Sequence, residues 1–377
     1  MRISNFDDLE RIRKRGLSKI APNKPFIGVG VGTCGIGRGA ESLFDSFARE
    51  IEERQLNIGL KRLGCFGFCS EEPIVNIYIP NKPLILMHRV SENDITPIVL
   101  GVEKAIFPYR NILCRVEEWD FITSNLTYGR GYLEHPLWNE IPFFKGQKKI
   151  VLRNCGLLVP GDLEEYIGVG GYYPLYRSLF EMTPKSIVEE VKRSKLRGRG
   201  GAGFPTGIKW ELMAKAVGDQ KYILCNADEG DPGAFMNRNE IEGDPFMLIE
   251  GMTVAAYAMG ASNGIVYIRA EYPLAVQRLK ESIKEARKKG LLGENIFGTE
   301  FSFDIDIVEG AGAFVCGEES ALIQSIEGKA GRATPRPPYP SEKGINGKPT
   351  NINNVETYCN IPVIISKGWE WFCPKCI

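Results

Sequence analysis

The chain has 377 residues, 43% hydrophobic and 25% charged, a mix that builds a full-sized core and, at this length, two or three domains. Lys+Arg and Asp+Glu both total 47, and this balance leaves no electrostatic footprint for nucleic acid or an anionic membrane. No apolar run approaches the roughly 18 residues of a membrane-spanning helix, and the two histidines, His88 and His135, are too few for a His-rich metal centre and make a His-based triad improbable.

The first 24 residues, MRISNFDDLERIRKRG onward, carry no apolar signal segment and are read as an N-terminal extension. Ten cysteines without an export signal point to the cytoplasm, where cysteine clusters more often do metal or redox work than form disulfides. Phe26 to Val31 predicts a strand ending in a glycine-rich turn, and Leu43, Phe44, Phe47 and Ile51 recur at helical spacing. Ile74–Ile79 and Leu84–Val90 are β-rich runs split by Pro80-Asn81-Lys82-Pro83, a hairpin signal. A helix followed by a hairpin, with cysteines in the two preceding loops, is similar to a small thioredoxin-like unit, placed at residues 25–97. Residues 98–183 form a connecting segment, aromatic and weakly periodic through residue 150.

From Pro184 strands and helices alternate. Tyr222–Cys225, Ile265–Arg269 and Phe303–Val308 predict strands, Asp244-Pro245 opens a helix to about Tyr257, Pro273 opens another that Gly290 stops, and Glu319–Ile326 is a short helix. The fold class is α/β, a thioredoxin-like N-terminal domain followed by a larger α/β domain over 184–365, with a divergent tail at 366–377.

Four blocks carry chemistry. Gly198-Arg-Gly-Gly-Ala-Gly-Phe204-Pro-Thr-Gly-Ile-Lys209-Trp contains G-x-G-x-x-G, but a helical pattern over Ser186–Lys195 precedes it where a dinucleotide fingerprint needs a strand. Its glycines still let backbone N–H groups approach a phosphate or a flat ring, and the helix that follows offers its N-terminus to an anion; a flexible loop without ligand is the alternative. Cys225-Asn-Ala-Asp228-Glu229-Gly-Asp231-Pro follows a strand, where α/β domains bind ligands, and reads equally as a solvated acidic turn. Gly310-Ala-Gly-Ala-Phe314-Val-Cys-Gly317-Glu318-Glu319 repeats the strand, glycine turn, helix order. Pro337-Pro-Tyr339-Pro precedes Asn351-Ile-Asn353-Asn354-Val-Glu-Thr357, whose asparagines are also common helix caps.

In this order, over residues 148–365, the blocks resemble the NADH-oxidising flavoprotein subunit of respiratory complex I, and more closely its relatives in NAD(P)-linked hydrogenases and formate dehydrogenases. The resemblance implies an enzyme, an NADH dehydrogenase (diaphorase) subunit in which hydride passes from NADH to FMN and single electrons go on to iron–sulfur protein subunits. Catalysis is cofactor-centred, with no acid–base residue. The implied FMN contacts are Arg199, Gly200, Gly201, Gly203, Lys209, Asn226, Asp228, Glu229, Gly317, Glu318, Glu319, Asn353 and Asn354. The implied NADH contacts are Phe204, Asp231 and Tyr339. Leu212 and Phe314 depart from a phenylalanine and a tyrosine frequent in the family. The chain would work in the cytoplasm or on the cytoplasmic face of a membrane complex, without inserting into the bilayer. The rival readings are a conventional NAD-dependent dehydrogenase and an interaction subunit without cofactors.

Cys65-Phe-Gly-Phe-Cys69 resembles the second cysteine pair of thioredoxin-like 2Fe–2S ferredoxins, but the loop that should supply the first pair holds Cys34 alone. Cys34, Cys65 and Cys69 are thus an incomplete ligand set. Cys373-Pro-Lys-Cys376 is half of a metal-site pattern. The family continues into a segment that binds a 4Fe–4S cluster, so the chain is expected to be C-terminally truncated.

Overall fold

The computed structural model describes residues 2–104, 110–123 and 125–372, and these divide between two units, one built on residues 13–169 with Glu242–Asp244 and the other on the described residues before Arg13, Gly170–Ile241 and those from Pro245 onward. The elements of the first stretch are α1 (Phe6–Ile20), β1 (Phe26–Gly30), α2 (Thr33–Ile36), α3 (Ala40–Glu53), β2 (Gly59–Leu63), β3 (Val75–Tyr78), β4 (Leu84–Met87), α4 (Ile95–Lys104), β5 (Ile112–Val116), the hairpin β6 (Glu118–Asp120) and β7 (Asn125–Thr127), and α5 (Leu163–Gly168). Then follow α6 (Tyr173–Phe180), α7 (Pro184–Arg193), α8 (Thr206–Lys215), β8 (Tyr222–Ala227), α9 (Met236–Gly243), α10 (Pro245–Met259), β9 (Asn263–Arg269), α11 (Pro273–Lys289), β10 (Asp304–Gly310), α12 (Glu319–Ile326), β11 (Thr350–Asn354), α13 (Val355–Lys367) and α14 (Trp369–Phe372). No helix among the described residues is long and apolar enough to cross a membrane.

The N-terminal unit is built on a five-stranded sheet in the order β2-β1-β3-β4-β5. β1 and β2 are parallel across the α3 crossover, and β3, β4 and β5 are added antiparallel. This is a thioredoxin-like arrangement, with the expected hairpin at β3–β4. Alternation sorts each strand between two faces. Ile27, Val29, Ile85 and Met87 meet Leu43, Phe47, Ile98 and Val99 of α3 and α4. Phe26, Tyr78, Leu84 and Leu86 point the other way, against Cys114, Val116, Trp119, Phe121 and Phe144.

The segment expected to be connecting therefore differs from that reading over its first half. β5 hydrogen-bonds the edge of β4, and the aromatics that follow cover the second face of the sheet, Phe66 packing at 5.7 Å from Trp119 and 5.4 Å from Phe144. A stretch that roofs a sheet with side chains from loops has no reason to be periodic. Likewise α1 occupies most of the stretch read as an extension, its start marked by the Asn5 Oδ1 that accepts the Asp8 N–H at 2.9 Å.

The C-terminal unit carries a four-stranded, all-parallel sheet in the order β10-β9-β8-β11. α10 is buried along every residue but Tyr257, as a helix with apolar residues on all its faces must be. It crosses α13 so closely that a Cβ on Gly251 would stand 2.1 Å from the Tyr358 carbonyl oxygen. Its single carboxylate, Glu250, accepts the N–H groups of Tyr172 (2.9 Å) and Leu175 (3.0 Å) at the start of α6. On the opposite face of the sheet α12 contributes Leu322 and Ile323 to a cluster with Leu224, Tyr267 and Ile352.

Candidate functional site

β8, β9 and β10 step outward in one direction, whereas β11 is added on the other side of β8. Strand order reverses there, and in parallel sheets the crevice beyond the carboxyl ends at such a point receives ligands. The register places Asn226 beside Asn354 and Cys225 beside Asn353 at those ends.

The glycine block arrives from α7 with no strand before it, which removes the Rossmann context. It is a loop pinched at its base by Thr206 N–H to Leu196 O (2.9 Å) and Gly198 N–H to Phe204 O (2.8 Å), with the Arg197 guanidinium donating to Gly203 O at 2.6 Å. The Arg199 N–H donates to Thr357 Oγ1 at 2.9 Å, and its guanidinium lies 3.7 Å from Glu356. A Cβ on Gly200 would touch that of Asn354 at 3.5 Å, so the loop lies over the end of β11. Gly201 has φ +107, and nothing stands within 4 Å of where its Cβ would be. α8 follows at once and no side chain caps its first turn; its Thr206 N–H is spent on Leu196 O, which leaves the following N–H groups and the positive dipole end facing outward.

Beyond β8, Asn226 works as a clamp. Its Oδ1 accepts the Asp228 N–H (3.1 Å) and its amide donates to Gly317 O (2.9 Å), tying two of the predicted blocks together. The Glu229 carboxylate accepts the N–H groups of Asn237 and Arg238, both at 3.1 Å, at the start of α9, while its carbonyl is held by Tyr272 Oη (2.9 Å) and Arg269 (3.2 Å). Asp228 is different. Its Oδ2 is buried with no hydrogen-bond partner among the described residues, 3.8 Å from the position a Gly317 Cβ would take. Burial pushes its carboxyl above the usual range, opposed by Arg269 and reinforced by Glu271.

After β10, Glu318 caps α12 by accepting from Ser320 N (2.9 Å) and Ala321 N (3.1 Å). Arg336 spans Glu318 and Glu319, at 3.2 Å from each, and Lys209 pairs with Glu319. Burial alone would raise the Glu318 carboxyl, but the Ser320 and Ala321 donors and Arg336 outweigh it and hold it low. Asn353 Oδ1 accepts from the Trp210 indole at 3.0 Å; Asn354 caps α13 through Glu356 N (3.0 Å) and pairs with Asn237. Behind this layer Glu240 is 2% exposed and neither of its carboxyl oxygens has a well-formed hydrogen bond. Burial, then Glu356 and Glu229, push it far above the carboxylate range, and the Asn237 amide relieves only part of this.

The structure thus gathers Arg199, Gly200, Lys209, Asn226, Asp228, Glu229, Gly317, Glu318, Glu319, Asn353 and Asn354 into one connected constellation. Phe204 and Tyr339 keep large exposed faces, 50% and 54%. Phe314 is 67% exposed and its ring lies 2.8 Å from where a Gly230 Cβ would stand. Asp231 is exposed in the turn after Gly230, where its carbonyl accepts the Ala234 N–H at 3.1 Å. Thr357, Arg336, Tyr272 and Glu240 are site residues that sequence reasoning misses. Thr357 closes a block already recognised and Arg336 precedes another, so proximity to those blocks is the available signal; Tyr272 and Glu240 have none.

These groups fit FMN. The side-chain-free rim at Gly200 and Gly201 leaves space and N–H donors for a phosphate or ring edge, and the orphaned Asp228 oxygen is an acceptor waiting for a hydroxyl or N–H donor.

The cysteine end of the N-terminal unit fits its expected group less well. A Cβ on Gly32 would stand 3.0 Å from the Cys65 Cβ, so the loop leading to Cys34 runs against Cys65. Cys65 and Cys69 are in contact, Sγ to Sγ 3.8 Å, and the Gly67 N–H donates to Cys65 Sγ at 3.2 Å. Sharing its proton with Cys69, and burial, push the Cys65 thiol up. Glu72 beside it is buried and raised to about 7, mainly by desolvation. Among the described residues no group of three or more His, Cys, Asp or Glu side chains could hold a metal ion. Cys34, Cys65 and Cys69 remain the incomplete ligand set read from the sequence, one thiolate short of the four that a 2Fe–2S cluster generally needs. Cys373 and Cys376 lie outside the described residues.

Residues 191–363 match a family model described as the Nuo51 FMN-binding domain. The chain is 57% identical over 228 residues to the NADP-reducing hydrogenase subunit HndC of Solidesulfovibrio fructosivorans, covering 60% of this chain and 46% of that protein. It is 52% identical over 209 residues to a subunit of the NADH-quinone oxidoreductase of Aquifex aeolicus (strain VF5), covering 55% and 49%. It therefore spans about half the length of these curated relatives. The crystal structure of an NAD+-reducing NiFe hydrogenase in the air-oxidized state aligns over 97% of this chain and 59% of that one, at 26% identity and a TM-score of 0.49.

Proposed function

We propose that this chain, which carries the Nuo51 FMN-binding domain at residues 191–363, is the NADH-oxidising flavoprotein subunit of an electron-transfer complex of the complex I or NAD(P)-linked hydrogenase kind. One observation carries the reading: four sequence-distant blocks meet at the reversal of strand order, with Asn226 beside Asn354, the glycine loop over Asn354 and an orphaned carboxylate facing Gly317.

FMN bound there supplies the chemistry, taking hydride from NADH and releasing electrons singly. The protein's part is orientation and electrostatics. Backbone N–H groups of residues 200–203 and those that follow Thr206 at the start of α8 would hold the FMN phosphate. Lys209 and Arg199 place positive charge beside the pocket, each balanced by a carboxylate (Glu319, Glu356) so that the cations are held in position. Asp228 accepts from the polyol or ring. Gly203, Glu229, Gly317 and Glu318 shape the cradle through their backbones and caps. Phe204 and Tyr339 offer exposed stacking faces for the nicotinamide nucleotide, and Asp231 is an exposed carboxylate in the turn after β8. The partners are NADH and iron–sulfur subunits of the assembly, and the site of action is the cytoplasm. The relatives include an NADP-reducing hydrogenase subunit, so NADPH is tested beside NADH.

The deciding measurement is titration of the purified chain with FMN, followed by anaerobic addition of either nucleotide. Stoichiometric binding of FMN and bleaching of its visible band are expected. A chain that binds nucleotide without flavin would overturn the reading in favour of a conventional dehydrogenase, and one that binds neither would make it an interaction subunit.

A further inference from the structure

The turn Cys65-Phe66-Gly67-Phe68-Cys69 is rigid for reasons independent of any metal. Gly67 has φ +94, a conformation β-carbons resist. Phe66 packs edge-on against Phe144 at 5.4 Å, and Phe68 stacks on Phe143 with ring centroids 4.0 Å apart. The Lys149 ammonium sits 3.5 Å over the Phe66 ring. Both ends of the turn are pinned, and the two sulfurs are held 3.8 Å apart, near van der Waals contact. Cys65 is buried and Cys69 is partly exposed. That asymmetry suits two different roles, one thiol reachable from solvent and one shielded behind it.

We propose that Cys65 and Cys69 form a redox-active dithiol that exchanges with an external disulfide, of a small thiol or a protein, instead of ligating a cluster. The Cys69 thiolate attacks one sulfur of the disulfide RS–SR, releasing RS⁻, which takes a proton and leaves as RSH. The Cys65 sulfur, losing its proton, then attacks Cys69 Sγ in the mixed disulfide and displaces the second RSH. The chain gains a Cys65–Cys69 disulfide, two electrons pass to RS–SR, and the two thiol protons end on the two RSH products. The reverse reaction reduces the chain with an external thiol. Cys34 takes no part in either direction.

The test uses the full chain, equilibrated in a series of glutathione redox buffers, acid-quenched, alkylated under denaturing conditions and digested with trypsin. Cleavage after Arg62 and Arg89, with Lys82 protected by Pro83, gives a peptide of residues 63–89 whose cysteines are Cys65 and Cys69 alone. Across the series this peptide should pass in one two-electron transition from doubly alkylated to unalkylated and two hydrogen masses lighter than the dithiol. Cys34→Ser should leave the transition unchanged. Cys69→Ser should abolish it, and Cys65→Ser should trap Cys69 as a stable mixed disulfide with glutathione. Cys69 is the primary variant because it lies at the more exposed position. Double alkylation at every potential would overturn the proposal. So would iron and acid-labile sulfide in the anaerobically purified chain that fall on Cys34→Ser substitution, since the cysteines would then be ligands.

Discussion

The flavin cradle and the cysteine turn both sit where loops leave a sheet, yet they depend on their residues in opposite ways. In the cradle most polar side chains already have protein partners: Asn226 clamps Gly317, Asn354 caps α13, Glu318 caps α12 and Glu319 pairs with Lys209 and Arg336. Recognition there is carried by backbone shape, and single side chains are replaceable where the shape survives. A metal cluster instead counts its ligands, and the loss of one thiolate from four removes the site while leaving the fold around it intact. Under the proposed function a departure such as Leu212 leaves the backbone of the cradle unchanged, whereas the N-terminal unit is one thiolate short of a full ligand set.

The largest expected effect tests the claim that backbone shape carries the cradle. Gly201→Val puts a β-branched residue at φ +107, a strain of about 2–3 kcal/mol. FMN affinity should fall by roughly 100-fold as the loop leaves its cradle shape to relieve that strain, and thermal stability should fall by no more than the strain itself, because nothing packs on that position; unaltered flavin binding by fluorescence titration would break the comparison.

Next comes the buried acid behind the cradle. Burial raises the Glu240 carboxyl in the folded chain and not in the unfolded one, so the folded state binds more protons and stability falls as pH rises above the ordinary carboxylate range. Glu240→Leu should stabilise the chain by about 1–3 kcal/mol at pH 8 and progressively less towards pH 4, as read from denaturant midpoints at each pH. A gain that does not depend on pH would show that the wild-type carboxyl is not protonated by burial.

A smaller effect is expected at the aromatic faces. Phe204→Ala and Tyr339→Ala should each raise the apparent NADH constant about five-fold, the equivalent of ~1 kcal/mol, while FMN content stays constant. Wild-type parameters in both variants would place the nucleotide elsewhere. The smallest belongs to the cysteine end: Cys34→Ser should leave the visible spectrum of the FMN-loaded chain unchanged, and loss of absorbance from that single substitution would restore Cys34 as a ligand.

Much of both regions is legible in the chain, for reasons that differ by element. β8, β9, β10, α11 and α12 are readable because strand alternation, the Pro273 start and the Gly290 stop are local signals. The cradle's blocks are recognisable because glycines, acids and asparagines cluster where the backbone must approach a ligand. The segment 98–150 is unreadable as structure, since its aromatics answer to the face of a sheet formed elsewhere and leave no period of their own.

Sequence by itself determined the strand–helix alternation, the glycine loop without a preceding strand, and the shortage of a fourth thiolate, because each depends on residue type and spacing along a short stretch. Tertiary structure alone decided that β11 returns beside β8, and with it the pairing of Asn226 with Asn354, the Arg336 bridge across Glu318 and Glu319, and the burial of Glu240. The reason is physical: hydrogen-bond register and desolvation are properties of segments far apart in the chain, and they come into being only when those segments pack.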